Sequence, residues 1–376
     1  MNILIIMGGF FPGKKYGGPP VSVNNFCTLL EEFQCYIVTK NHDMGESAPY
    51  CNIKRGWNDR KNCKVLYLKE SQYNISSFDR VFREIKPDVL YLQGMFQQCI
   101  FPCLKLAKKY KTKVLLAPRG ELCEGAFKKK YKKLPYIYVL KLMKLLKGVH
   151  YQSTSEEEST AIKKYLDKNG KSIYFLPNIP SFSENKIERE EKKRECIKIV
   201  FLSRIVPKKN LIYAIKLLQE IKGAVQFDIY GPIEDERYWD ECKSEIESLP
   251  SNIKVTYMGM TTHDKVHEVF SHYDVFLFPT LSENYGHVIV EAMLAECLII
   301  ISDQTPWTNL DTHGCGGSYS LNNPECFVEK LQEITLYDES EIKLRRKNIR
   351  NYISAKLNFL EIKEAYLKAF NQINDE

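Results

Sequence analysis

Glu283 and Glu291 stand on either side of a seven-residue stretch, Asn284-Tyr285-Gly286-His287-Val288-Ile289-Val290, that turns from turn-forming to apolar. Residues 274–279 before it have the length and composition of a buried strand. Residues 286–295 read as a helix that is apolar almost all round, as a helix packed on a sheet should be. An ionised carboxylate at Glu291, among Ile289, Val290, Met293 and Leu294, is costly unless something polar meets it. The amides of Asn284, Tyr285 and Gly286 would open the helix and attract an anion. The chemistry this suggests is an anionic group on the helix mouth, with a glutamate on each side to accept hydroxyl hydrogen bonds. A sugar diphosphate fits. A loop carboxylate plus a glutamate neutralised by a lysine would leave the same pattern.

Cations that could hold such a group are spaced for it. Arg204 ends the strand-like run 197–204, and Lys209 follows in the next turn, so the pair can grip a diphosphate from two directions with charge-assisted bonds. Near the start, the apolar run 2–7 leads into a glycine-rich loop over 8–19 and a helical stretch over 21–32. Strand, glycine loop, helix is how phosphate cradles are built, although the spacing fits neither a dinucleotide fingerprint nor a Walker loop. An ordinary βα turn would read alike. Arg119, in Ala117-Pro118-Arg119-Gly120-Glu121, falls at the carboxyl end of a strand, where open α/β sheets bind ligands. Arginine is no base at neutral pH, so a catalytic role would be electrostatic. The competing expectation pairs it with Glu121 or Glu124. His263 and His267 lack a zinc-protease spacing and read as surface residues.

Residues 125–150 hold eight lysines and no acidic residue, interleaved with aromatics and leucines. Lys128, Lys129, Lys130, Lys132 and Lys133 lead this run. Basic amphipathic helices suit an anionic membrane surface, at about 1 kcal/mol per lysine near the headgroups. A solvated basic face is the plainer alternative. Nucleic acid is not expected, because no recognition fold accompanies the charge.

The elements that must position these residues follow from the rest of the chain. Its 376 residues suit two domains. A hydrophobic content of 44% and a charged content of 27% are those of a globular protein. The net charge of +7 is too weak by itself to indicate nucleic acid. Twelve scattered cysteines without a Cys-x-x-Cys pair read as reduced thiols of a cytoplasmic protein. No apolar run reaches membrane-spanning length, so any membrane contact would be with the cytoplasmic surface. Strand-like runs at 35–39, 65–68, 88–93 and 114–117 alternate with helical stretches, and residues 41–63 read as a long loop. A second alternation starts at 197, after a polar linker over 181–194. The expected fold class is α/β, with two doubly wound halves.

The motif residues carry a resemblance. Glu283 and Glu291 in Ser-Glu-Asn-Tyr-Gly-His-Val-Ile-Val-Glu-Ala, with Ile301-Ser302-Asp303-Gln304-Thr305-Pro306-Trp307 beyond, resemble the Glu-x7-Glu signature of retaining glycosyltransferases of family 4. The resemblance implies a GT-B fold, two Rossmann-like domains facing a central cleft. It implies an acceptor domain over 1–180, a donor domain over 195–355, and a last helix at about 356–374 crossing back onto the first. It implies that Arg204 and Lys209 hold the donor diphosphate, that Glu283 binds the sugar hydroxyls and Glu291 the ribose. Asn284, Tyr285, Gly286 and His287 would line the donor site, and Gly17 and Gly18 would close over the diphosphate. No cofactor or metal would be required. The partners implied are a nucleotide-sugar, with UDP commonest in the family, and a saccharide or lipid-linked saccharide acceptor in surface polysaccharide or lipopolysaccharide synthesis. Arg119 and Gln93 depart from the histidines that many relatives carry, which removes titratable groups and weighs against a nucleotide-sugar epimerase. A non-catalytic nucleotide-sugar scaffold is the remaining alternative.

Overall fold

The computed structural model describes residues 1–16, 18–123, 130–179, 196–283 and 285–376, the side chains of Lys130 and Asp264 excepted. Gly17, Lys128, Lys129, Asn284, the Lys130 side chain and the expected linker therefore lie outside the described residues. The chain forms two compact units, Met1–Ile179 with Phe359–Glu376, and Pro180–Asn358.

The first unit runs β1 (Asn2–Ile6), α1 (Gly18–Leu29), β2 (Gln34–Lys40), β3 (Trp57–Arg60), β4 (Cys63–Leu68), α2 (Ile75–Ile85), β5 (Val89–Gln93), α3 (Ile100–Tyr110), β6 (Lys113–Ala117), α4 (Lys130–Leu142), β7 (Val149–Ser153), α5 (Glu156–Tyr165) and β8 (Ile173–Phe175). Its sheet has the order β3-β4-β2-β1-β5-β6-β7-β8. Every pairing is parallel except β3 with β4. β5 is buried along its whole length, as a strand with helices on both faces must be. Local chemistry sets the helix starts. Asn74 accepts from the amides of Ser76 and Ser77 to cap α2, and Ser155 accepts from Glu158 to cap α5.

The second unit runs β9 (Ile197–Leu202), α6 (Leu211–Leu218), β10 (Val225–Tyr230), α7 (Glu236–Glu247), β11 (Ile253–Gly259), α8 (Val266–Ser271), β12 (Val275–Phe278), α9 (His287–Leu294), β13 (Leu298–Ser302), β14 (Gly316–Tyr319), α10 (Pro324–Thr335) and α11 (Glu339–Lys356). Its sheet is all parallel, in the order β11-β10-β9-β12-β13-β14. In both sheets the order reverses beside the first strand, between β1 and β5 and between β9 and β12. Ligands of doubly wound sheets bind at the carboxyl ends of such strands.

The last helix, α12 (Phe359–Asp375), belongs to the first unit. Phe370 is fully buried, with ring centroids 5.2 Å from Phe26 on α1 and 5.6 Å from Tyr91 on β5. One expectation needs correction. The stretch 41–63 is not all loop, because Trp57-Asn58-Asp59-Arg60 forms the antiparallel edge strand β3. An edge strand needs only one neighbour, so polar residues are tolerated there; Trp57 gains its burial against Tyr36, at 5.5 Å. α11 ends at Lys356 and α12 begins at Phe359, with Leu357 turned inward between them.

Candidate functional site

The second unit gathers its motif residues at the carboxyl ends of β9 and β12, which pair through Val275 with Ile199 and Phe276 with Val200. Three bonds tie the loops that follow. Asn210, in the left-handed region at φ 61°, donates its side-chain amide to Pro279 O at 3.0 Å. The amide of Leu281 donates to Lys208 O at 2.9 Å, and that of Glu283 to Gln304 O at 2.9 Å. These ties bring Lys209 onto Glu283, and the two form an ion pair. Lys209 is 7% exposed and its Nζ lies 5.3 Å from the Phe278 ring centroid. Burial pushes the Lys209 pKa below its ordinary value; Glu283 pulls against that shift, and the charges of Arg204 and Lys208 add to it. Arg204 faces outward onto Glu234 at 3.1 Å. A buried cation with two more nearby is a place where an anion relieves repulsion.

Gly286, in the left-handed region at φ 76°, caps α9, which opens at His287. A glycine cap brings no side-chain acceptor to the first turn, whose Ile289 amide donates back to Gly286 O at 2.8 Å. Trp307 Nε1 donates to Tyr285 O at 2.6 Å, and its ring stands 5.8 Å from that of Tyr285, which fixes the loop before the helix. Glu291 is 8% exposed on α9, and one polar group that meets it is His263 Nδ1, at 3.4 Å. Sequence reasoning set His263 aside as a surface residue. The signal available was the buried Glu291, which required a partner. A histidine from another segment is such a partner.

Arg119, in the first unit, is not paired with Glu121. Its Nε donates to Gln93 Oε1 at 2.8 Å, Nη1 to Asn178 Oδ1 at 2.5 Å and Nη2 to Tyr91 Oη at 3.0 Å. Glu121 instead accepts from the amides of Met95 and Phe96, at 2.5 and 3.0 Å. Glu124 lies outside the described residues. Among those residues no carboxylate compensates the guanidinium, and the buried amide nitrogen of Gln93 has no acceptor. An uncompensated cation beside an orphaned donor suits an anionic or carbonyl oxygen.

Arg119 and Gly120 both take left-handed backbone, at φ 57° and 74°, a conformation that costs a non-glycine residue about 1–2 kcal/mol. The fully buried Glu158 holds this turn, accepting from Gly120 N at 2.6 Å and from Thr154 N at 2.8 Å. In sequence Glu158 looked like one of several glutamates serving the α5 dipole. Behind Arg119, Tyr91 donates to Gln152 Oε1 at 2.5 Å, and Gln152 Nε2 donates to Tyr366 Oη at 2.8 Å, so α12 is wired to this group. Gly18 begins α1, and Ser22 in its second turn donates to Asn178 at 3.2 Å.

Of the expected membrane-facing lysines, Lys132 is exposed. Lys133 is turned the other way: its Nζ donates to Glu121 O at 3.3 Å and lies 4.6 Å from the Phe96 ring centroid. It belongs to the inner side of α4, because a residue about 100° round the helix faces a different layer. Among the described residues no helix is long and apolar enough to cross a membrane, and no three His, Cys, Asp or Glu side chains meet as metal ligands would.

Comparison with known proteins agrees with this architecture. Residues 182–352 match the family model described as glycosyl transferases group 1. An uncharacterised 41.2 kDa protein of the cps region of Klebsiella pneumoniae is 24% identical over 334 residues, covering 82% of this chain and 87% of that one. Among solved structures, Anabaena HepE in complex with UDP and glucose superposes with a TM-score of 0.71 at 13% identity, covering 99% of this chain and 100% of that chain. WaaG, a glycosyltransferase involved in lipopolysaccharide biosynthesis, superposes at 0.67 with 13% identity, over 99% of both chains. The fold is GT-B, two α/β units with parallel sheets. The match to group 1 glycosyl transferases falls within the second unit.

Proposed function

We propose that this protein is a retaining glycosyltransferase of the family 4 type. It moves a hexosyl group from a UDP-sugar to a saccharide or lipid-linked saccharide acceptor in surface polysaccharide synthesis, at the cytoplasmic membrane surface. The observation that carries the reading is the buried Lys209 on Glu283 beside Arg204, near the glycine-capped start of α9 and at the sheet's switch point. In this reading the donor diphosphate takes up the charge of Lys209 and Arg204, with no metal ion required, and Glu283 is released to the sugar hydroxyls. Glu291, with His263 against it, accepts the ribose hydroxyls. As the glycosidic bond to phosphate breaks, the growing negative charge on UDP is met by cations already in place, which need no reorganisation. Arg119 contributes electrostatically. No side chain is required as a covalent nucleophile, since the acceptor hydroxyl attacks. The polysaccharide context is supported by the cps-region relative and by the fold shared with WaaG.

The test is the melting temperature with UDP, GDP and ADP, then with sugar derivatives of whichever nucleotide binds. A ligand at a hundred times its dissociation constant stabilises the native state by about 2.7 kcal/mol, a shift of a few degrees. A shift with UDP that grows with one attached sugar, followed by transfer with the anomeric configuration kept, is the expected result. No shift with any nucleotide overturns the reading. Binding without transfer or donor turnover moves the assignment to a scaffold.

A further inference from the structure

α4 presents an unusual surface. Tyr131, Leu134, Tyr138 and Leu142 are all exposed, at 70%, 41%, 67% and 71%. At 100° per residue these positions fall within an arc of about 80°. Ile137 and Leu140, on the opposite side, are buried in the core of the first unit. Lys132 and Lys141 border the exposed arc, one on each side. The helix therefore buries one apolar face and leaves a second in solvent, rimmed by positive charge.

At the foot of this helix lies a cavity of about 380 Å³ whose lining includes Lys108, Lys111, Lys144 and Lys147, with Thr112 and Gly148 between them. No acidic residue lines it, and among the described residues none of the four lysines makes an ion pair. The last turn of α3 and its C-cap supply Lys108 and Lys111, the loop after α4 supplies Lys144 and Lys147, and Lys108 Nζ donates to Met143 O at 3.4 Å, which joins the two segments. Val114 and Val149 place the cavity at the amino ends of β6 and β7, opposite the Arg119 end. α4 crosses from one end to the other, its 13 residues spanning about 20 Å.

We propose that the lysine cavity is a binding site for the phosphate headgroup of an anionic membrane lipid, and that the exposed stripe of α4 lies in the same membrane surface. The occupant is chosen by charge complementarity and continuity: Leu142 and Met143, both exposed, run directly into Lys144 at the cavity rim. Apolar side chains that enter the acyl boundary bring the cavity to headgroup depth. The proposal rests on the membrane reading above and gives it a specific lipid contact. It also sets an orientation, with α4 flat on the surface.

The experiment compares wild type with two double variants of equal charge change, Lys111→Gln with Lys147→Gln in the cavity and Lys132→Gln with Lys141→Gln beside the stripe. Each is tested for partitioning onto phosphatidylcholine vesicles with and without phosphatidylglycerol, and for binding monomeric dihexanoyl phosphatidylglycerol in solution. UDP affinity, expected unchanged, reports that both variants fold. General surface attraction costs about fivefold per lost lysine. The cavity pair should lose more than that for both charges, together with at least about tenfold in affinity for the soluble lipid, while the border pair keeps it. Equal losses in the two variants, with no saturable binding of the soluble lipid, overturn the cavity site and leave the membrane reading intact. Wild type remaining off both kinds of vesicle overturns the membrane reading and the cavity proposal with it.

Discussion

Replacing Lys209 by methionine separates a residue kept for binding from one kept for stability. Methionine preserves an unbranched stem over the Phe278 ring and removes only the charge. Burial lowers the pKa of Lys209, so the folded protein disfavours the charged form despite Glu283. A group in that position is held at a cost to the fold. The variant should therefore melt at or above the wild-type temperature. UDP affinity should move the other way, since a hydrogen bond between charged groups contributes about 1.5–3 kcal/mol. That is a weakening of roughly 10- to 150-fold in dissociation constant, readable by isothermal titration calorimetry. Transfer should fall further, by about 100- to 1000-fold, the usual cost of losing one donor to developing negative charge. UDP affinity within about threefold of wild type would refute the diphosphate role. A marked drop in melting temperature would refute the claim that burial outweighs the ion pair.

The same shift predicts a pH dependence. Between the lowered folded pKa of Lys209 and the higher unfolded one, the unfolded chain holds more protons, so stability rises with pH. The melting-temperature gap between Lys209→Met and wild type should narrow on going from neutral pH into that alkaline window, while UDP binding by wild type weakens as Lys209 deprotonates. Replacing Tyr366 by phenylalanine removes a buried hydroxyl that accepts from Gln152 and donates to Pro177 O at 2.9 Å. It should cost about 1–3 kcal/mol in chemical denaturation and lower kcat through Arg119 with UDP affinity unchanged; an equal loss of UDP affinity would mean general disruption instead. Replacing Glu291 by glutamine should weaken UDP by about tenfold and uracil alone not at all, which competition binding can check. Replacing Glu158 by glutamine turns an NH2 donor onto one of the Gly120 and Thr154 amides, leaving it without an acceptor, and should lower the melting temperature by several degrees.

Most of the fold could be read locally. Alternating apolar strands and helices gave two doubly wound halves because burial on both faces demands continuous apolar runs. α9 could be read from its apolar run, and Gly286 proves to be its left-handed cap, a conformation cheapest for glycine. What escaped was governed by neighbours. β3 is polar in sequence and becomes a strand only because β4 offers an edge and Tyr36 shelters Trp57.

Residue types and spacing determined which groups could hold a diphosphate: Arg204 and Lys209 five apart after a strand, Glu283 and Glu291 across a helix start. Their partners were decided by the tertiary structure. Lys209 and Glu283 are 74 positions apart and meet because β9 and β12 are adjacent in the sheet. Glu291 meets His263, and Arg119 meets Gln93, Asn178 and Tyr91 in place of Glu121, two residues away in sequence. Local sequence fixes which face a side chain takes and what charge it carries. Long-range strand order fixes which other chain segment comes within hydrogen-bond reach, and neither composition nor spacing encodes that distance.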